Sequence, residues 1–144
     1  MDIWTSPDVL AVHLKRFYYC QGTYGVYRQK ITDFIDYPLE GLDLTPYIKG
    51  HLSEDAPPIY DLCAVSYHSG SLGGGHYTAG CRNVESGQWY YCNDDSVTPL
   101  EASRVVSDLA YVLLYKRRKG SIRWGGIVPT TDGVDALPDD PPDS

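Results

Sequence analysis

The sequence predicts an α+β domain made mostly of antiparallel β-sheet, on three observations. Short apolar runs rich in Tyr, Val and Leu recur along the chain, glycine-containing turns separate them, and only residues 98–108 carry a helix-like composition. At 144 residues and 42% hydrophobic content, the chain is long enough for one domain with a buried core. Its aromatic set is skewed, with 13 Tyr against 2 Phe, a bias that any account of the core has to explain.

The elements follow in order. "DVLAVHLKRFYY", residues 8–19, reads as a central strand with a charged second half, and "CQGTYG" supplies a turn. Residues 9–30 are therefore expected to form a β-hairpin whose second strand ends near Lys30. Pro38 and Gly41 interrupt the next stretch, and "KGHLSEDAPP", residues 49–58, reads as a polar loop. From Ile59, "IYDLCAVSYHSG" alternates as a strand and runs into a glycine-rich loop. "HYTAGCRN" and "QWYYCND" read as two strands joined by a short turn, and "DLAYVLLYKRR" as the last strand. Between them "TPLEASRVVSD" predicts a short helix of about two turns. The total is five or six strands with little helix.

After Arg118 the composition changes. Residues 119–144 hold five Asp against Lys119 and Arg123 and end in "DALPDDPPDS". Such a segment has too little apolar surface to offset the entropy of ordering, so it predicts a disordered, acidic, Pro-rich tail beyond a 1–118 domain. Trp124 and Ile127 are the only hint of a docking motif in it.

Charge and cysteine content narrow the function. A net charge of −7, with one basic cluster at Lys116–Lys119, argues against nucleic acid as a partner, because phosphate neutralisation needs clustered cations. No run of about 18 apolar residues predicts a membrane span, and "MDIWTSPDVL" lacks the pattern of a signal peptide, so an intracellular location is expected. Cys20, Cys63, Cys81 and Cys92 lack the short paired spacings of a zinc site or disulfide scaffold, and reduced thiols are expected. A Cys81–Cys92 bridge is conceivable across paired strands. Asp94 and Asp95 have no second cluster at ligand spacing, so no metal is expected.

The stretch "HSGSLGGGHYTAGC", residues 68–81, carries the chemistry. A general base at His76 needs a partner that fixes its tautomer, a nucleophile about 3 Å from its other nitrogen, and room for an extended substrate. The hairpin after His76 returns to "CNDD", which brings Asn93 and Asp94 near it. Gly73, Gly74 and Gly75 strip side chains from the backbone before it and leave space for another polypeptide. His68 is a candidate for ordering the glycine loop. The nucleophile is missing: Cys81 is five residues from His76 and points to the opposite face of a strand, and no other cysteine or serine has a supporting motif.

"YDLCAVSYHSGSLGGGHYTAGC", with "WYYCNDDSV", "DVLAVHLKRF", "YPLEGLDLTPYI" and "AYVLLYKRR", resembles the C-terminal half of the catalytic domain of the ubiquitin-specific proteases, the papain-like cysteine deubiquitinases. The likeness runs over residues 3–118. It implies the palm of a thumb-palm-fingers domain that hydrolyses isopeptide or peptide bonds after the C-terminal glycine of ubiquitin. By the same resemblance His76 is the general base, Asn93 orients it and Asp94 supports the site. Tyr77 with Gly73, Gly74 and Gly75 walls the channel for ubiquitin's tail. It further implies ubiquitin and ubiquitinated proteins as partners, no cofactor, and a nucleophile from a Cys box that this chain does not contain. The N-terminal half of the domain is then a further partner. The alternative is a catalytically inactive ubiquitin-binding or scaffold fragment. Gly80 stands where the family carries a larger residue, which predicts looser packing beside the site.

Overall fold

The structure is a computed structural model that describes residues 3–52, 57–71 and 73–118. The expected tail at 119–144, with Trp124 and Ile127, lies outside the described residues. Among the described residues there are nine strands, against the five or six expected: β1 (Val9–His13), β2 (Phe17–Gly22), β3 (Gly25–Lys30), β4 (Leu42–Asp43), β5 (Ile59–Ser71), β6 (Gly74–Arg82), β7 (Trp89–Asn93), β8 (Ser96–Leu100) and β9 (Ala110–Arg117). The main sheet runs β1-β9-β5-β6-β7-β8 with every pairing antiparallel, and β4 adds to β5. β2 and β3 form a separate two-stranded sheet.

Two local expectations change. "DVLAVHLKRFYY" is two strands, not one: β1 ends at His13 and β2 begins at Phe17, and β1 lies at the edge of the sheet rather than its centre. The hairpin is therefore Phe17–Lys30 and excludes Val9–His13. The expected helix over 98–108 is a strand end followed by one 3-10 turn, Ala102–Arg104. Val97 to Leu100 pair with β7, and Pro99 in an edge strand needs no ladder donor, so tertiary pairing outweighed the helical composition.

One face of the sheet carries the core. Tyr60, Leu62, Val65 and Tyr67 of β5 lie on it with Leu113 and Tyr115 of β9 and Trp89 of β7, covered by Tyr37 and Val105 from the connecting segments. β5 keeps these residues on one face across an odd spacing because the register shifts between Leu62 and Ala64, where Cys63 is the extra residue. The tyrosine bias has its explanation here. The hydroxyls of Tyr37 and Tyr67 both donate to the Val105 carbonyl at 2.8 Å, Tyr115 donates to Pro38 O at 2.8 Å and Tyr60 to Pro7 O at 2.7 Å. Phe in these places would leave loop carbonyls unsatisfied, so each ring serves both as core and as a tie to irregular backbone. Burial pushes the Tyr37 hydroxyl up to about 12 and raises those of Tyr67 and Tyr115 further.

Gly80 reverses the expectation of looser packing. A Cβ there would lie 2.8 Å from the Tyr67 hydroxyl and 3.1 Å from Val65, so core side chains already fill the space. Near the end of the described chain, Arg118 grips both oxygens of buried Asp61, at 2.8 and 2.7 Å, and Arg117 pairs with Asp8. Much of the basic cluster thus closes the fold. No helix among the described residues is long and apolar enough to cross a membrane.

Candidate active site

The β5–β6 hairpin places His76. Gly70, at φ +98°, sits opposite Gly75. A Cβ on Gly70 would fall 2.7 Å from the Gly74 carbonyl, and a Cβ on Gly75 would fall 2.5 Å from the Ser69 carbonyl and collide with His68 Nε2. Glycine is forced at both positions by the chain's own atoms. Gly74 is different, since nothing lies within 4 Å of a Cβ placed there, and Gly73 meets only the Ser71 hydroxyl oxygen at 4.0 Å. Their bareness serves no close contact among the described residues.

Past the glycines, Ser69 faces His76 and His68 faces Tyr77 across the hairpin, so His76 and Tyr77 point to opposite faces. The β6–β7 register, with Ala79 opposite Cys92, puts Asn93 one diagonal step from His76 on the same face. Their side chains meet, with His76 Nε2 2.6 Å from Asn93 Oδ1. The contact has the imidazole Nε2–H donating to the amide oxygen, which leaves the Nδ1 lone pair free. Asp94 takes φ +48° in the two-residue turn after β7, a conformation Asp tolerates better than most residues. Its Oδ2 reaches 3.9 Å from His76 Nε2, beyond hydrogen-bond range, and its side chain is 78% exposed against 48% for His76. A carboxylate so exposed acts on the imidazole mainly through a screened field.

The other face holds an aromatic cluster that the sequence reading did not assemble. The His68 ring, 4% exposed, has Tyr77 at 4.7 Å, Phe17 at 5.4 Å and Tyr111 at 5.8 Å between ring centroids, and Tyr77 lies 6.1 Å from Tyr111. The Lys30 ammonium donates to the carbonyls of His68 at 2.8 Å and Gly70 at 3.1 Å. Burial, and secondarily the Lys30 charge, lower the His68 pKa, so its imidazole is neutral. His68 Nδ1 is buried with no protein partner among the described residues. The sequence signal for this cluster was the "KRF" after β1, followed thirteen residues later by Lys30, but only the folded chain shows that they share a site.

No cysteine accompanies His76. Cys81 lies opposite Ala64 and Tyr90, on the face away from His76, and Cys92 shares that face. Cys63 contacts the Leu114 carbonyl at 3.3 Å. Burial raises the thiol pKa of Cys63, and burial followed by neighbouring Cys92 raises that of Cys81, so neither is primed as a thiolate. All four cysteines are free, and Cys81 and Cys92 are diagonal rather than directly opposite. On the His76 face a cavity of about 360 Å³ opens beside the pair, lined by Thr78, Tyr91, Thr98, Arg104 and Ser107 among others. Among the described residues no group of acids, histidines and cysteines is arranged to hold a metal.

Comparison with known proteins gives this geometry a family. Residues 1–115 match the family model described as ubiquitin carboxyl-terminal hydrolase. The chain is 38% identical over 133 residues to ubiquitin carboxyl-terminal hydrolase 9 of Arabidopsis thaliana, covering 92% of this chain and 14% of that protein. It is 42% identical over 119 residues to ubiquitin carboxyl-terminal hydrolase 15 of Homo sapiens, covering 82% and 11%. Among solved structures, the SAGA Ubp8/Sgf11/Sus1/Sgf73 DUB module bound to ubiquitin aldehyde superposes with a TM-score of 0.67 at 32% identity, covering 78% of this chain and 25% of that one. The chain thus spans about a seventh or less of the curated relatives and a quarter of the solved chain. The match takes in both hairpins, the glycine loop, His76 and Asn93, and the chain belongs to the ubiquitin carboxyl-terminal hydrolase family.

Proposed function

We propose that this chain is the histidine-bearing palm part of a cysteine deubiquitinase, and that residues 1–118 make up that part. The reaction is thiol-dependent hydrolysis of the isopeptide or peptide bond after the C-terminal glycine of ubiquitin. One observation carries the reading: the 2.6 Å contact between His76 Nε2 and Asn93 Oδ1, which fixes the tautomer and leaves the Nδ1 lone pair to take a proton.

In this mechanism the nucleophilic thiol comes from another part of the enzyme and approaches from the His76 face, beside the cavity at Thr78 and Tyr91. His76 Nδ1 removes the thiol proton, the thiolate attacks the carbonyl carbon of ubiquitin's last glycine, and the imidazolium gives the proton to the leaving amine, leaving a thioester. Water, deprotonated by His76, then attacks the thioester, which releases ubiquitin's carboxylate and returns the thiol. Asn93 holds the ring through both steps, and Asp94 supports the imidazolium at longer range. Tyr77 with Gly73 and Gly74 forms the wall along which the ubiquitin tail lies, and the open space at Gly74 suits a neighbouring backbone. Gly75 belongs to the same wall, although its first constraint is His68. The solved relative bound to ubiquitin aldehyde supports ubiquitin as the partner. Action on ubiquitinated proteins places the enzyme in the cytoplasm or nucleus.

A second reading applies to the chain by itself. With Cys81 and Cys92 turned to the face away from His76, the isolated polypeptide acts as a ubiquitin-binding module. Reaction of the chain with ubiquitin carrying a C-terminal electrophile, followed by mass spectrometry, separates the two. No adduct is expected on the chain alone. An adduct on any of Cys20, Cys63, Cys81 or Cys92 would overturn the external-nucleophile assignment. When a Cys-box half of the domain is supplied in trans, an adduct is expected on that half, and His76→Ala is expected to slow its formation by about 10²- to 10⁴-fold.

A further inference from the structure

A two-stranded hairpin is marginal by itself in water and needs packing to keep a fixed position. β2–β3 shares no ladder with the main sheet, yet its base carries Phe17 and Lys30, two members of the cluster around His68. Something must set the distance between the hairpin and the sheet.

Arg16 is placed to do so. It is 3% exposed, and its guanidinium donates to three backbone carbonyls: Nε to Ala110 O at 2.6 Å, and Nη1 to Ile31 O at 3.0 Å and Asp33 O at 2.9 Å. Among the described residues no carboxylate lies within ion-pair distance of it. Burying a cation without a counter-ion is costly, so a fold that keeps one gains from its hydrogen-bonding geometry rather than its charge.

The acceptors explain the gain. Ala110 precedes Tyr111, Ile31 follows Lys30, and Arg16 itself precedes Phe17. One planar fork therefore fixes the backbone next to three of the side chains that surround His68 opposite Tyr77. We infer that Arg16 is a positioning residue for ubiquitin-tail recognition: it sets the spacing between the β2–β3 hairpin and β9, and through it the placement of the aromatic cluster that Tyr77 packs against. The inference rests on the tail-channel reading above. Lysine cannot substitute, because a single ammonium cannot span acceptors on two separate segments in fixed directions.

The test titrates the full chain with ubiquitin and with ubiquitin lacking its two terminal glycines, following NMR shifts of Tyr77 and Tyr111. Wild type is expected to prefer the intact form. Arg16→Lys is expected to bind intact ubiquitin about tenfold more weakly than wild type and the truncated form equally well. Unchanged affinity of Arg16→Lys for intact ubiquitin overturns the positioning role, and so does a parallel loss for both ligands, which marks general unfolding of the surface. Failure of the tail-channel reading is visible earlier, as equal affinity of wild type for the two ubiquitins. Where a thermal melt shows that Arg16→Lys does not fold, the wild-type Arg16 Nε–H resonance decides. It is expected to move with intact ubiquitin only, and a resonance that does not respond overturns the inference.

Discussion

The β2–β3 and β5–β6 hairpins of this chain are held in place by different physics. β5–β6 is pinned by backbone ladders on both sides, with β9 beyond β5 and β7 beyond β6, and its residues alternate between a buried core and an aromatic face. β2–β3 forms a sheet of its own, and Tyr19, Tyr24, Val26 and Tyr27 stand exposed on it. Arg16, Phe17 and Lys30 at its base tie it to the sheet. His76 on β6 and Asn93 at the end of β7 therefore both sit in the rigid main sheet, where their geometry follows from register. The aromatic cluster around His68 rests partly on the tethered hairpin, through Phe17 and Lys30.

The sharpest break in that contrast comes from Gly75. Gly75→Ala forces a methyl group against His68 and the Ser69 carbonyl, neither of which can move freely, and is expected to cost about 2–3 kcal/mol in urea unfolding. On the tethered hairpin, Lys30→Met removes the ammonium that grips β5 and is expected to cost about 1–2 kcal/mol. Amide exchange should then accelerate in β2 and β3 while β5 and β6 keep their protection. A reversed pattern of exchange would show that the hairpins are not independently anchored.

Tyr67→Phe removes one of the two hydroxyls on the Val105 carbonyl and leaves the other, so about 1 kcal/mol is expected by the same measurement. The smallest effect belongs to Gly74→Ala. With open space around it, stability should change by no more than about 0.5 kcal/mol, whereas affinity for intact ubiquitin should fall. A large stability loss at Gly74 would move that residue from the channel wall into the fold.

Acidity probes the junction of the two hairpins. The folded-state pKa of His68 is lowered, so between that value and the ordinary value near 6.5 the unfolded chain binds more protons than the folded one. Stability is therefore full above about pH 6.5 and declines as pH falls below it. His68→Phe keeps an aromatic ring in the cluster and is expected to flatten that slope.

The β5–β6 hairpin was legible in the sequence because its determinants are local. Alternation gave β5, the glycine run gave the turn, and the return to "CNDD" brought Asn93 toward His76 through strand period and turn length alone. Misreadings fell where a distant contact decided. Val9–His13 looked central and proved to be an edge strand, because its neighbour is β9, about a hundred residues away. Residues 98–108 looked helical, but pairing with β7 outweighed their composition. Gly80 looked like a defect until Tyr67 was found to occupy its space.

By itself, then, the sequence determined the mostly antiparallel architecture and the approach of His76, Asn93 and the glycine wall, since hydrophobic period and turn chemistry act over a few residues. Tertiary structure alone decided that Phe17, Lys30, His68 and Tyr111 join Tyr77 in one cluster and that buried Arg16 spaces them. It also decided that Cys81 and Cys92 face away from His76. Those outcomes depend on strand order and on side-chain hydrogen bonds to distant carbonyls, for which linear spacing carries no signal.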